Sequence, residues 1–254
     1  MKLVLVQPQL HHDAGAENLE AIRALIDNAR VDVAAGDVIV LPERFEMRED
    51  AAAYETEVAS FARAHGCHVV GGSHHERRGK SAVNAGIAVD PRGNVVERYE
   101  KLRPYALERQ FVDPGTRIGE FSIDGRHLLV LICADFWFVD LVLRATSAPD
   151  LIVVPALSVT RKSTPDYSRA LWRHLAISRA YEFGAYVGIS DWAYPSHLPS
   201  MFTAGAGGFA DPTAIDPDRF FTPVPSAGVA VFDVDFAALD AFRRDRRARG
   251  FFWK

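Results

Sequence analysis

Three polar residues follow predicted strands at well-separated points of the chain. Glu43 comes directly after the apolar run DVIVLP, Lys101 follows the second arm of a predicted hairpin in ERYEKLRP, and Cys133 closes the apolar run LLVLI. Because α/β folds collect their functional groups at strand ends, we consider the three side chains together. A cysteine, a carboxylate and a lysine at such positions predict a nucleophilic catalytic centre.

The chemistry that these residue types support is the cleavage of an amide. A cysteine must become a thiolate before it attacks, and a carboxylate such as Glu43 can act as the general base that removes its proton. Lys101 can stabilise the oxyanion of the tetrahedral intermediate, together with backbone N–H groups that begin at Ala134. Taken singly, none of the three would support a mechanism, because Cys133 alone indicates a core cysteine, Glu43 a helix-entry residue and Lys101 a surface charge.

Short apolar strands alternate with amphipathic helices and must position these side chains. Apolar runs predict strands over residues 2–6, 37–41, 69–73, 151–154, 185–190 and 228–234. Helical spacing predicts helices over residues 19–29, 55–64 and 167–183, the last two ending at Gly66 and Gly184.

Two predicted hairpins interrupt this alternation. Residues 85–89 and 95–99 flank a turn that contains Pro and Gly, and residues 121–123 and 128–132 flank the dipeptide Asp124-Gly125. No Ser/Gly-rich linker, repeat or low-complexity segment divides the chain. We therefore expect one α/β domain over residues 1–254, with antiparallel hairpins mixed into its sheets.

The composition excludes several classes of protein. Of the 254 residues, 48% are hydrophobic and 24% are charged, and the net charge of −4 argues against nucleic-acid binding. The basic run Arg243–Arg249 is short and is interrupted by an aspartate, which favours a solvated helix end or a subunit contact. The N-terminal stretch meets Gln and Pro too early for a signal peptide, and no apolar run is long enough to span a membrane.

The cysteines and histidines add two expectations. Cys67 and Cys133 are too few for a disulfide framework, which favours a reduced, cytoplasmic setting with Cys133 as nucleophile and Cys67 packed in a strand. The pairs His11-His12 and His74-His75 lack zinc spacing, and neighbours on a strand point to opposite faces. We expect them to have structural or surface roles, and we expect no metal site.

Three motifs in order resemble those of the nitrilase superfamily, the carbon–nitrogen hydrolases, and the likeness runs almost end to end. VIVLPERF resembles the glutamate motif, NAGIAVDPRGNVVERYEKLRP the lysine motif and LLVLICADFWFVDLVLR the nucleophile motif. YALERQFVDPGT resembles the stretch that supplies a second glutamate near the lysine, here Glu108. Asp245-Arg246-Arg247 resembles the family's C-terminal turn.

The resemblance implies a fold, a mechanism and an assembly. It implies a four-layer α-β-β-α sandwich, a covalent thioester intermediate that water resolves, and neither metal nor organic cofactor. It assigns Glu43, Lys101 and Cys133 to catalysis and makes Glu108 a positioning group. It also implies a homodimer or larger homo-oligomer, assembled through the face that bears the helix after the nucleophile.

The nucleophile motif departs from its common form, in which a tyrosine follows the cysteine. Here Ala134 removes bulk beside Cys133 and Trp137 adds an aromatic wall, so we expect Ala134, Trp137 and Tyr105 to contact the substrate. Nitrilases usually have Trp-Glu after the cysteine, so Cys-Ala-Asp favours a small linear amide or N-carbamoyl amine over a nitrile. Two alternatives stay open: a glutaminase-type unit that supplies ammonia to a partner enzyme, and a non-catalytic interaction scaffold of the same fold.

Overall fold

Two large β-sheets lie at the centre of the fold in a computed structural model, which describes residues 1–13, 17–198 and 201–253. In chain order the strands are β1 (Lys2–Gln7), β2 (Val38–Val40), β3 (His68–Val70), β4 (His74–Arg78), β5 (Ser81–Val89), β6 (Val95–Glu100), β7 (Val112–Asp113), β8 (Gly119–Ile123), β9 (Arg126–Val130), β10 (Leu151–Pro155), β11 (Val159–Thr160), β12 (Tyr186–Ser190), β13 (His197–Leu198), β14 (Met201–Thr203), β15 (Gly208–Ala210), β16 (Phe221–Pro223) and β17 (Gly228–Asp233).

The first sheet runs in the order β17-β1-β2-β3-β5-β4, with β6 and β7 also paired to β5, and the second runs β16-β15-β12-β10-β9-β8. Each sheet has a parallel centre, formed by β1, β2 and β3 in one and by β9, β10 and β12 in the other. A small third sheet pairs β11, β14 and β13. Because β17 pairs with β1, the two ends of the chain meet in the same sheet.

Five α-helices cover the outer faces of the sheets in the described part of the chain. They are α1 (Asn18–Asn28), α2 (Ala51–His65), α3 (Val139–Leu143), α4 (Asp166–Phe183) and α5 (Phe236–Ala248). Helix α2 contacts the first sheet, α4 contacts the second, and the sheets contact each other through β1 with β12 and β6 with β8. The predicted four-layer α-β-β-α sandwich is confirmed. None of these helices is both long enough and apolar enough to cross a bilayer.

The alternation of side chains along β1 explains the layering. Leu3 and Leu5 point towards the second sheet, whereas Val4 and Val6 pack with α1 and α2. Successive side chains of a strand point to opposite faces, so a strand that is apolar throughout must be covered on both sides. The fully buried runs of β1, β2 and β10 follow from this requirement.

The predicted C-terminal ends of two helices and the predicted hairpins agree with the structure, although α2 begins at Ala51, four residues before the predicted start. Helix α2 begins after Asp50, whose carboxylate accepts two backbone N–H groups, and it ends at Gly66 with φ +66°. Helix α4 ends at Gly184 with φ +56°. Antiparallel pairing joins β5 to β6 and β8 to β9, as the two turns predicted.

The C-terminal basic run lies at the end of a helix, as predicted, with Arg244, Arg247 and Arg249 exposed, but two of its arginines are not solvated. Residues 243–249 lie in or next to α5, and Arg243 and Arg246 are buried. Arg243 donates to the Gly184 carbonyl at 2.7 Å and pairs with Asp150, while Arg246 donates to backbone carbonyls of α4 and the C-terminal segment. Arginines can bury their long stems and satisfy unpaired helix carbonyls, which a count of charges does not reveal.

Two smaller expectations also need correction. Asp245-Arg246-Arg247 lies within α5 and forms no turn. Cys67 is buried as expected, but it precedes β3 and lies outside the strand, because β3 begins at His68. Burial raises the pKa of the Cys67 thiol to about 12, which leaves it protonated and unreactive near neutral pH.

Candidate active site

The ends of strands β2, β6 and β9 bring three of the predicted catalytic residues to one cavity. Glu43 follows β2, Lys101 comes directly after β6, and Cys133 lies three residues beyond β9. All three line a cavity of about 270 Å³, together with Glu108 from the 3₁₀ helix Ala106–Gln110. These residues are far apart in sequence, so the topology of the two sheets is what places them together.

Lys101 is held between two carboxylates. Its Nζ atom lies 2.7 Å from Oε1 of Glu43 and 2.6 Å from Oε2 of Glu108. Lys101 and Glu43 each expose only 2% of their surface, so both charges have left bulk water. Burial acts to lower the pKa of Lys101, but the charges of Glu43 and Glu108 outweigh this effect and raise it above its ordinary value.

Further hydrogen-bond partners surround the two carboxylates. The side-chain amide of Asn84 donates to Glu43 at 2.9 Å and to Glu108 at 2.8 Å. The backbone N–H of Leu157 donates to the other oxygen of Glu43 at 3.1 Å, and His75 lies 3.2 Å from Glu108. Burial acts to raise the pKa of Glu108, but Lys101 and its hydrogen-bond partners lower it overall, so this carboxylate stays ionised.

The backbone at Cys133 adopts an uncommon conformation. Its φ is +45°, and the residue begins the 3₁₀ helix Cys133–Trp137. Such a conformation costs a residue with a side chain about 1–3 kcal/mol, and conformations of this kind cluster at functional sites. The backbone N–H of the next residue, Ala134, has no acceptor among the residues that the structure describes.

The Cys133 thiol is protonated in the resting site. Burial raises its pKa well above the ordinary value, the charge of Glu43 adds to this rise, and Lys101 opposes it. The sulfur lies 3.7 Å from the Leu157 carbonyl oxygen. Because a buried thiol beside a carboxylate does not ionise unaided, it needs a base at the moment of attack.

Asp135 connects the nucleophile segment to the lysine loop. Its two carboxylate oxygens accept the backbone N–H groups of Leu102 at 3.0 Å and Arg103 at 2.8 Å. These residues directly follow Lys101, so one side chain fixes the position of the lysine relative to the cysteine. Burial raises the pKa of Asp135 to about 7.

A second cavity of about 340 Å³ opens on the other side of Cys133. Its lining includes Ala134, Trp137 and Tyr105, the three residues predicted to contact the substrate, and also Trp172. Trp137 packs edge-on against Trp172 with ring centroids 5.6 Å apart. Cys133, Tyr105, Leu157 and Val159 line both cavities, so we describe them as the charged lobe and the aromatic lobe of one site.

The sequence model of the carbon-nitrogen hydrolase family matches residues 4–204, a range that includes every residue of the two lobes described above. The chain belongs to the carbon–nitrogen hydrolase family. This places it in the nitrilase superfamily, as its three motifs predicted, and makes it a hydrolase of carbon–nitrogen bonds.

One curated relative of this carbon–nitrogen hydrolase is 2-oxoglutaramate amidase from Bacillus subtilis (strain 168). The two sequences are 26% identical over 165 residues, which cover 59% of this chain and 61% of the relative. The match therefore spans less than two thirds of that enzyme.

Solved structures share the fold over nearly the whole chain. An amidase from Nesterenkonia sp. AN1, seen after Michael addition of acrylamide at its active-site cysteine, has a TM-score of 0.73 at 19% identity and covers 98% of this chain and 99% of its own. A superfamily protein from Xanthomonas campestris with an arsenic adduct in its active site has a TM-score of 0.77 at 19% identity, covering 98% and 95%. At these identities the likeness establishes the fold alone.

The sequence motifs did not identify every polar group in the site of this hydrolase. The four predicted catalytic residues meet in the charged lobe, and the three predicted substrate contacts lie in the aromatic lobe. Asn84, His75, Asp135 and Arg44 were not predicted to take part. Asn84 could have been recognised, since it is an amide within the mostly apolar strand β5, where it is buried. Within the described residues, no cluster of His, Cys, Asp and Glu could hold a metal ion.

Proposed function

We propose that this carbon–nitrogen hydrolase cleaves small linear amides or N-carbamoyl amines through a thioester on Cys133. The observation that carries the proposal is the meeting of Glu43, Lys101 and Cys133 at one cavity, with Lys101 Nζ held 2.7 Å from Glu43. A base, a cation and a thiol are the groups that amide cleavage by a cysteine requires.

Acylation begins when Glu43 removes the proton from the Cys133 sulfur. The sulfur electron pair then forms a bond to the amide carbonyl carbon, and the carbonyl π electrons move to oxygen. In this proposal Lys101 and the Ala134 N–H stabilise the oxyanion. The intermediate collapses with loss of the carbon–nitrogen bond, and Glu43 returns its proton to the departing amine.

Deacylation uses the same groups with water as the nucleophile. Glu43 removes a proton from water, the hydroxide oxygen bonds to the thioester carbon, and Lys101 again stabilises the oxyanion. The carbon–sulfur bond then breaks, and the proton on Glu43 returns to sulfur. The product is a carboxylic acid. When the substrate is an N-carbamoyl amine, the amine leaves during acylation, and the product is carbamic acid, which decomposes to carbon dioxide and ammonia.

The relatives support amides as the substrate class. One relative is named for its action on 2-oxoglutaramate, and one solved neighbour is an amidase. The two lobes on either side of Cys133 support a substrate with a chain on each side of the scissile bond. The buried ion pair in the site argues against a pure scaffold, because buried charges are costly and give a binding scaffold no advantage.

The extent of the domain and its assembly belong to the same proposal. Pairing of β1 with β17 supports one hydrolase domain over residues 1–254. Exposed Phe138 and Leu143, before and within α3, support a homodimer or larger homo-oligomer formed through this face. A cytoplasmic location is part of the proposal and rests on the low cysteine count. Light scattering after size exclusion tests the assembly, and a monomer at micromolar concentration contradicts it.

Intact-protein mass spectrometry tests the mechanism. Wild type and Cys133→Ala are exposed to iodoacetamide and to a panel of amides and N-carbamoyl amines. We expect an acyl adduct from one substrate class and fast alkylation at Cys133, with Cys67 as the internal control. Equal, slow labelling of both cysteines, with ammonia release unaffected by the substitution, contradicts the proposal and favours the scaffold alternative.

A further inference from the structure

Arg44 presents an unpaired guanidinium to the charged lobe. It follows the general base in sequence and lines the same cavity as Glu43, Lys101 and Cys133. Its backbone N–H donates to the Ser73 hydroxyl at 3.1 Å. The guanidinium itself forms no hydrogen bond or ion pair with any other residue that the structure describes.

This lack of a partner sets Arg44 apart from other arginines of the chain. Other arginines of the described chain that are at least partly buried are paired with carboxylates or backbone carbonyls, as Arg103, Arg126, Arg169, Arg179 and Arg243 are. The Arg44 side chain is partly buried, and this burial lowers its pKa, although arginine keeps its charge in proteins. An unpaired charge in a cavity has an unfavourable free energy, and this indicates that a ligand pairs with Arg44.

The carboxylates of the site are already engaged. Glu43 accepts hydrogen bonds from Lys101, Asn84 and Leu157, and Glu108 accepts from Lys101, Asn84 and Tyr105. Both influence Arg44 only through their longer-range charge. The five N–H donors of Arg44 are therefore available to an anion that enters the cavity.

The backbone at Arg44 supports the same interpretation. Its φ is +53°, in the left-handed region that a residue with a side chain seldom adopts. Strained residues of this kind cluster at ligand sites.

We infer that Arg44 binds a carboxylate of the substrate, so the preferred substrates are amides or N-carbamoyl amines that also carry a carboxylate. The inference rests on the proposed function and deepens it. A guanidinium matches a carboxylate with two parallel hydrogen bonds, which gives both affinity and orientation. The charged lobe of about 270 Å³ has room for about nine water-sized groups, which suits a short amic acid.

The apolar part of the same lobe strengthens this pairing. Leu198, Met201 and Val159 also line it and would contact a short methylene chain. His12 also lines the lobe, and burial lowers its pKa, so it is neutral near neutral pH and does not compete as a cation. In a site that excludes water, the attraction between Arg44 and a carboxylate is stronger than in bulk solvent.

Matched substrates test the inference. Succinamate and butyramide differ only in whether a carboxylate or a methyl group ends the chain, and N-carbamoyl-β-alanine and propylurea form the same pair on the amine side. We expect kcat/KM to favour the anion in one pair. Arg44→Gln is expected to lower kcat/KM for that anion by about 10- to 100-fold, the range for hydrogen bonds to a charged group, and mainly through KM. Arg44→Lys recovers part of the loss.

Controls separate this inference from the proposed mechanism. Arg92→Gln alters an exposed arginine on a hairpin turn and should leave the anion-to-neutral ratio unchanged. Equal loss on the anionic and neutral members of both pairs means that Arg44 only supports the catalytic carboxylates, and overturns the inference. Calorimetry in the Cys133→Ala background measures binding without turnover: succinamate or N-carbamoyl-β-alanine must bind more weakly when Arg44 is also changed to Gln. This result decides the inference even if no amide is hydrolysed, which would contradict the proposed function alone.

Discussion

The ammonium group of Lys101 lies 2.6 Å from Oε2 of Glu108, a carboxylate that belongs neither to the nucleophile nor to the base. Glu108 also accepts the backbone N–H of Tyr105 at 3.0 Å, so the short 3₁₀ helix and the lysine loop share one anchor. A lysine has a long flexible side chain, and this second carboxylate restricts where its charge can point. Catalysis by electrostatic stabilisation depends on such preorganisation.

Glu108→Gln removes the charge of this anchor and keeps its shape. We expect kcat to fall by about 10- to 100-fold, as when other groups that orient catalytic residues are replaced, with a smaller effect on KM. Steady-state kinetics on the best amide substrate measures the change. Glu120→Gln is a matched control, because Glu120 pairs with His127 at 3.0 Å away from the site. Wild-type kcat in Glu108→Gln would show that Glu43 alone is sufficient to position Lys101.

Glu43→Gln has two opposite effects on Cys133. The variant lacks the general base, so hydrolysis should fall by about 100- to 10,000-fold. The charge of Glu43 is also a cause, after burial, of the raised pKa of the Cys133 thiol, so that pKa should fall in the variant. Rates of iodoacetamide alkylation against pH measure the second effect, with Cys67 as internal control. An alkylation midpoint that stays or rises in Glu43→Gln contradicts the arrangement described here.

Asp135 should make the protein less stable as pH rises towards neutrality. Its pKa is raised by burial to about 7, above the ordinary value of about 3.9 in an unfolded chain. The folded state therefore holds a proton that the unfolded state has lost, and this stabilising contribution is present below about pH 4 and lost as pH rises to about 7.

Chemical denaturation of wild type and Asp135→Asn across this range measures the effect. We expect the free energy of unfolding of the wild type to fall relative to that of the variant between about pH 5 and about pH 7. The substitution itself should lower the free energy of unfolding by about 1–3 kcal/mol, because the amide nitrogen of the new asparagine would face a backbone N–H. Burial raises the pKa of Asp191 to about 6. Both proteins contain Asp191, so its contribution to the pH dependence cancels in the comparison. If the free energies of unfolding of the two proteins change in parallel with pH, the raised pKa of Asp135 is contradicted.

The features that could be predicted from the sequence are those set by local pattern. Continuous apolar runs identified buried strands such as β10 and β12, and turn residues such as Gly93 and Gly125, both with positive φ, identified the hairpins. Glu43, Lys101 and Cys133 could be recognised because each follows such a strand within a distinctive motif. The order of the layers came from family resemblance, since periodicity does not determine which sheet faces pack together.

The groups that were missed depend on contacts between distant segments. Asn84 reaches Glu43 across 41 positions of sequence, and the predicted strand began one residue after it. His75 was assigned a structural or surface role because it lacks zinc spacing, yet its ring lies 3.2 Å from Glu108. Arg243 was counted as part of a charged run, although its partner Asp150 lies 93 positions away. Residue type alone does not distinguish these side chains from solvated ones.

Ala134 should set the length of chain that the aromatic lobe accepts. Ala134→Tyr adds a ring to the lining of the aromatic lobe, which Ala134 shares with Cys133 and Trp137. We expect kcat/KM for hexanamide to fall by about 10-fold or more relative to acetamide, because each methylene excluded from an apolar pocket costs about 1–3 kcal/mol. Ala52→Tyr, on the exposed side of α2, is the control for added bulk. If hexanamide and acetamide lose equally in Ala134→Tyr, the ring blocks the nucleophile itself, and the aromatic lobe does not hold the acyl chain of neutral amides, which have no carboxylate for Arg44.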